Sequence, residues 1–266
     1  AFVLPGKTLL PNPETVPAPV ERLVFRPPFA NPAFAAYASA GTVEESRKLL
    51  ALVRNDPVAV FVLCASATAP FLEMAGVDSI SVHLYGKSST GKTTRLQLAA
   101  MLWGKPLDPQ TAGNDVTLIE RWHGTANAAE NQSATHNGMA LYKDELGGND
   151  DPGFSIYNET SGRGKSRMTR DGGVQTQRKW SLLSFSTGEI SLTDRLEAAS
   201  GKAAKTGEFI RGLSIPLDGL PAYEGMTPEA ASQHVQTLKA RLVQAYGTIG
   251  PAFAQYVIDS FGTASE

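Results

Sequence analysis

The segment Val82-His-Leu-Tyr-Gly86-Lys87-Ser88-Ser89-Thr90-Gly91-Lys92-Thr93-Thr94 constrains the fold of this chain more than any other. It carries the spacing G-x-x-x-x-G-K-[ST], and that spacing works only in one setting. Backbone N–H groups of a glycine-rich turn and of the helix that follows must converge on an anion, so a strand has to enter the turn and a helix has to leave it. Both flanks comply. Ile80 to Tyr85 is a short β-rich run, and Thr94 to Trp103 places Leu96, Ala99, Ala100 and Trp103 at helical spacing. The segment Gly86 to Thr94 therefore predicts a nucleoside triphosphate site: Lys92 reaches the β and γ oxygens, and the Thr93 hydroxyl ligates Mg²⁺.

A chain of 266 residues with 42% hydrophobic content can bury one large α/β core with appendages. The formal charge of −2 gives no global basic field, so contact with nucleic acid has to come from a local patch. The single cysteine, Cys64, excludes an internal disulfide and suits a reducing cytoplasm. The apolar run from Pro57 to Leu72 is too short and too broken by Ser, Thr and Pro70 for a membrane span, and reads as a buried helix. No signal peptide is visible, and a start at Ala1 suggests a piece cut from a longer polypeptide.

Residues 1–40 are rich in proline and read as an extended arm or linker with a short strand at Leu23 to Phe25. A helical lead-in over 41–78 follows. Thr42 and Glu45 form a capping box for a helix to about Arg54, and Asp56 caps a second helix with Pro57 in its first turn. Residues 79–220 form the nucleotide-binding core. Beyond the phosphate loop the pattern predicts a helix near Val116 to Gln132, a strand over Met139 to Lys143 and a helix near Phe154 to Ser161. A hairpin turning at Asp171-Gly-Gly173 and strands over Trp180 to Phe185 and Phe209 to Ile215 complete the core. Helices near Pro228 to Tyr246 and Pro251 to Phe261 occupy the C-terminal segment, 221–266. Alternating strands and helices predict an α/β fold with a mostly parallel sheet covered on both faces.

Two further segments supply chemistry. Met139-Ala-Leu-Tyr-Lys-Asp144-Glu145 is a strand ending in two acids about fifty residues after the phosphate loop. Asp144 at the end of such a strand holds Mg²⁺, and Glu145 polarises the attacking water. Lys143 is out of place in a buried strand and is expected at an exposed rim. Ser181 to Thr187 is an apolar strand ending in hydroxyls, where Thr187, with Ser186 behind it, is placed to position the lytic water. Arg211 is the candidate arginine finger reaching a neighbouring subunit, with Arg195 as its competitor and a surface salt bridge as the alternative.

Between the second and third strands, Gly162 to Lys179 holds six basic residues, Arg163, Lys165, Arg167, Arg170, Arg178 and Lys179, against one acid, Asp171. A hairpin there projects cations suited to a phosphate backbone.

Together these pieces resemble the bacterial and phage domain-of-unknown-function family 927. The likeness lies in Gly41-Thr-Val-Glu-Glu-Ser, the loop His83 to Thr94, Thr125-Ala-Asn127-Ala-Ala-Glu130 and Lys143-Asp-Glu-Leu-Gly. It continues in Gly162-Arg-Gly-Lys-Ser-Arg, Trp180 to Glu189 and Tyr246-Gly-Thr-Ile-Gly-Pro-Ala-Phe. The family's members sit in primase–helicase-like proteins of plasmids, prophages and mobile islands. The resemblance implies an AAA+-type fold, hexameric rings around DNA, and a hairpin that enters the central pore; the departure is Lys143, where the family usually has an apolar residue. The expectation is the ATP- and Mg²⁺-dependent motor domain of a DNA helicase acting as a homo-oligomer. Rival readings are a P-loop phosphotransferase acting on a small molecule and a non-motor ATP-dependent switch or loader.

Overall fold

In the computed structural model, which describes residues 2–11, 25, 31–122, 125–146, 156, 159–168, 171, 173, 176–200, 212–219 and 226–261, the expected core folds as a parallel five-stranded sheet. Its strands are β3 (Ile80–Tyr85), β4 (Ile119–Arg121), β5 (Ala140–Asp144), β6 (Leu183–Gly188) and β7 (Gly212–Pro216), in the order β4-β5-β6-β3-β7. A further hairpin, β1 (Phe2–Leu4) and β2 (Lys7–Leu9), lies outside this sheet. Because β6 is inserted between β3 and β5, the carboxyl ends of these three strands stand side by side, the usual place for a ligand in an open parallel sheet.

The two sheet faces differ in chemistry. On one, Val82, Leu84, Ala140, Tyr142, Leu183 and Phe185 pack against α3 (Lys92–Met101) and α2 (Pro57–Thr68). The register partners Tyr142 and Phe185 stack with ring centroids 5.6 Å apart. The other face buries Ser81, His83, Lys143, Ser184 and Ser186. Polar residues survive there because each has a partner: Ser184 Oγ donates to Ser81 Oγ at 3.3 Å, and His83 Nδ1 lies 2.7 Å from Ser186 Oγ. Lys143 is 1% exposed, not at a rim. Its ammonium pairs with Glu159 and sits 4.3 Å from the centroid of the Trp122 ring, which neutralises the charge that burial would otherwise penalise.

Helix α1 (Val43–Ala51) opens with the expected capping box, and Asp56 caps α2 by accepting from the N–H groups of Val58 and Ala59 at 3.1 and 3.0 Å. Leu238 and Leu242 of α6 (Pro228–Leu242) are fully buried against Leu49, Val53 and Ala59, each burial contributing roughly 1.5–3 kcal/mol. The remaining helices are α4 (Ala126–Thr135), α5 (Leu192–Ser200) and α7 (Ile249–Phe261).

Several local expectations shift. The helix expected over Val116 to Gln132 is instead the edge strand β4 followed by α4, which starts only where Thr125 caps it by accepting from Ala128 N. The strand expected at Trp180 starts three residues later, since Trp180 belongs to the hairpin. The proline-rich beginning is more than an arm: Leu4 and Leu9 enter the main core. Asn31 Nδ2 donates to Thr135 Oγ1 at 3.1 Å, and Tyr37 Oη lies 2.8 Å from His136 Nδ1. Of the strand expected at Leu23 to Phe25, only Phe25 is described, and it is not in a strand. No helix among the described residues is long and apolar enough to cross a membrane.

Candidate nucleotide site and basic hairpin

The phosphate loop leaves β3 at Gly86 and enters α3 at Lys92. Gly91 takes a left-handed conformation (φ 82°) and caps α3 without a side chain, so the first N–H groups of the helix face outward, ready for an anion. Lys92 Nζ donates to the carbonyls of Gly86 and Lys87 at 2.6 and 2.7 Å, which folds the loop around its own cation. Two supports come from elsewhere. Arg95 Nη1 donates to Thr90 O at 2.9 Å while its Nη2 pairs with buried Asp56 at 2.8 Å, bracing the loop from behind. From the turn after β7, Asp218 Oδ1 accepts from the Lys87 N–H at 3.0 Å.

Across β6, Asp144 ends β5 at 2% exposure. The Thr93 hydroxyl lies 3.4 Å from both of its carboxylate oxygens, and Thr187 donates to Oδ1. Burial raises the Asp144 carboxyl above its ordinary range, aided by the charges of Asp108 and Glu145, while the Thr187 and Thr93 bonds oppose the shift. A buried acid short of positive charge beside a loop hydroxyl fits Mg²⁺, which takes one or two carboxylates and completes its shell with phosphate oxygens and water. Among the described residues no group of three or more His, Cys, Asp or Glu side chains is placed to hold a metal ion by itself.

Glu145 adopts φ 61°, a left-handed conformation that is unfavourable for a residue with a Cβ. It is held there by its own N–H, which donates to Thr187 Oγ1 at 3.0 Å, and its carboxylate accepts from Gln110. Thr187 thus ties the two acids together. Ser186 alternates to the far face, against His83, and does not join the site. Arg211 lies outside the described residues; Arg195 is half-buried on α5. Gln110, Arg95 and Asp218 escape a sequence reading. Only Asp218, in an Asp-Gly turn after a strand, carries a recognisable signal.

The base of the hairpin forms at the opposite edge of the sheet. Arg163 and Lys179 face each other in an antiparallel bridge, Gly164 N donates to Arg178 O at 2.9 Å, and Trp180 N to Gly162 O at 3.0 Å. Arg163, Lys165, Arg178 and Lys179 are exposed, whereas Arg167 is turned onto α4; Arg170 and most of the tip lie outside the described residues. A cleft of about 620 Å³ opens at the foot of the hairpin, between Arg163 and Lys179 on one side and Ser79, Asn137 and Ser181 on the other.

Among solved structures, the chain is similar to "SCCmec type IV Cch - active helicase", with a TM-score of 0.67 and 22% identity over 91% of this chain. It spans 41% of that protein's length, and the likeness establishes the fold: a parallel sheet flanked by helices. No curated protein matches. The family described as "domain of unknown function (DUF927)" matches residues 9–179, spanning the lead-in, the phosphate loop, the paired acids and the hairpin, and the chain belongs to this family.

Proposed function

We propose that this chain is the ATP-hydrolysing motor domain of a DNA helicase, of the primase–helicase-like kind found in mobile elements. One observation carries the reading: Lys92, Thr93, Asp144, Glu145 and Thr187 converge from three adjacent parallel strands on the carboxyl edge of the sheet. Lys92 and the N–H groups opening α3 bind the β and γ phosphates of ATP. Thr93 and Asp144 would hold Mg²⁺, which supplies charge neutralisation at those phosphates. Glu145 takes the proton of the attacking water, and Thr187 fixes the spacing of the two acids. Arg211 acts in trans on a neighbouring subunit's nucleotide, so hydrolysis occurs between copies of this chain assembled as a homo-oligomer, a hexameric ring.

The basic hairpin meets single-stranded or forked DNA. ATP hydrolysis measured with and without single-stranded DNA, alongside strand displacement on a forked duplex, tests the proposal. DNA-stimulated hydrolysis with displacement is expected. Stimulation without displacement overturns the motor in favour of a loader, and phosphate transfer to a small acceptor by a monomer overturns it in favour of a phosphotransferase.

A further inference from the structure

The described part of the hairpin is pinned to α4. Arg167 Nη1 and Nη2 donate to Glu130 Oε1 and Oε2 at 2.8 and 2.7 Å, a two-pronged pairing, and Nη2 also donates to Asn127 Oδ1 at 2.9 Å. Glu130 accepts a further bond from the backbone of Lys165, and its side chain is 4% exposed. Gly164 packs so closely that a Cβ there would lie 2.2 Å from Glu130 Oε1, so the carboxylate and the hairpin backbone are fitted to each other. On the returning leg, Arg178 Nη1 donates to Asn131 Oδ1 at 2.8 Å. Positions 127, 130 and 131 share one face of α4, so both legs are fastened to the same stripe.

A guanidinium whose fork is filled by a carboxylate cannot present that fork to a phosphate without breaking the pair. Arg163 and Lys179 differ: they are exposed and flank the cleft at the foot of the hairpin. We propose that Arg167 is a positioning residue that anchors the hairpin through Glu130, rather than one of its nucleic-acid contacts, and that the anchor sets where Arg163 and Lys179 meet a phosphate backbone. The contact half of this proposal rests on the DNA-binding reading; the anchor half does not.

Glu130→Gln separates anchor from contact by sign. The substitution removes a negative charge beside the hairpin, so simple electrostatics makes DNA binding tighter, whereas loss of the anchor makes it weaker. Binding of the full chain to a labelled oligothymidine, read by fluorescence anisotropy over a potassium chloride series, is expected to weaken about fivefold in Glu130→Gln, because charge-assisted bonds are roughly twice as strong as neutral ones. Hydrogen exchange at the amides of Gly164 and Trp180 should quicken in both Glu130→Gln and Arg167→Gln. Arg163→Ala should instead leave that exchange unchanged and lower the log–log salt slope by about 0.7, the value for one lost single-strand phosphate contact.

Tighter binding with a steeper slope in Glu130→Gln overturns the proposal, as does a slope lowered by about 0.7 in Arg167→Gln with exchange unaltered. If the wild-type chain binds no oligothymidine, the DNA reading fails alone. Exchange in Glu130→Gln then still decides the anchor: faster supports it, unchanged overturns it.

Discussion

Thr187 holds the two acids of the candidate site in one arrangement, its hydroxyl donating to Asp144 and accepting from the Glu145 N–H. The second of these bonds fixes the Glu145 backbone, while its carboxylate accepts from Gln110. Glu145→Gln keeps the shape and removes the proposed base, so ATP hydrolysis should fall by about 10²–10⁴ while nucleotide affinity stays close to wild type. Lys92→Ala should lose binding and turnover together, because it removes the loop's cation and leaves its glycines. Binding of a fluorescent nucleotide and phosphate release read both variants; wild-type hydrolysis in Glu145→Gln would make that residue a spectator. His83 gives a prediction of another kind. Its Nε2 faces the Ile190 carbonyl at 3.0 Å and donates to it; burial favours the neutral ring, in which Nδ1 accepts from the Ser186 hydroxyl. Burial lowers its pKa from 6.5 to about 4, so between those values the unfolded chain binds a proton that the folded chain refuses. The resulting stability is fully present above pH 6.5 and is lost as pH falls toward 4, on the order of 3 kcal/mol in all. Urea unfolding at several pH values should show this slope in the wild type and a flatter one in His83→Gln; equal slopes would mean that another group carries the acid sensitivity.

At the scale of elements, the helical lead-in supports the phosphate loop. Asp56 caps α2 and also receives Arg95, the side chain that reaches the loop at Thr90. Asp56→Ala removes a cap and leaves a buried guanidinium without its anion, which should destabilise the fold by about 3–5 kcal/mol. It should also weaken nucleotide binding, since the loop loses its brace. Denaturant unfolding and nucleotide titration check the two effects; a loss under about 1 kcal/mol with unchanged affinity would assign Asp56 no more than an ordinary capping role. The Lys143–Glu159 pair works similarly on the far face, joining β5 to the helical segment that leads into the hairpin.

Across the whole molecule, the sheet separates the two proposed binding regions. The phosphate loop and acids lie at the carboxyl ends of β3, β5 and β6. The foot of the hairpin lies at their amino ends, beside Ser79, Asn137 and Ser181. Strands of five or six residues put roughly 17–20 Å between these edges, so a nucleotide bound at the phosphate loop does not reach the foot of the hairpin. Assembly adds the last proposed element. Mixing Arg211→Ala subunits with Lys92→Ala subunits should recover part of the ATPase activity if the arginine acts in trans, because some interfaces then hold both intact halves. Steady-state hydrolysis of the co-assembled mixture measures it, and no recovery would argue for a role within one subunit.

What the sequence determined by itself was the chemistry that depends on neighbours along the chain. The loop from Gly86 to Thr94, the capping box at Thr42 and Glu45, the Asp56 cap and the Asp144-Glu145 strand end are all local patterns, set by φ preference, helix ends and period-two alternation, and they were legible at once. Strand β4 was not, because a three-residue edge strand has too little periodicity to outweigh the helical spacing around it. Only the tertiary structure decided which polar side chains are partners. Lys143 is buried because Glu159, sixteen residues on, closes over it; Arg167 lies along α4 because Glu130, thirty-seven residues back, receives it. The same holds for Gln110 on Glu145 and Asp218 on the phosphate loop. The free energy of a charged side chain depends on what stands within a few ångströms of it, and the strand order that brings those groups together is written in no short stretch of sequence.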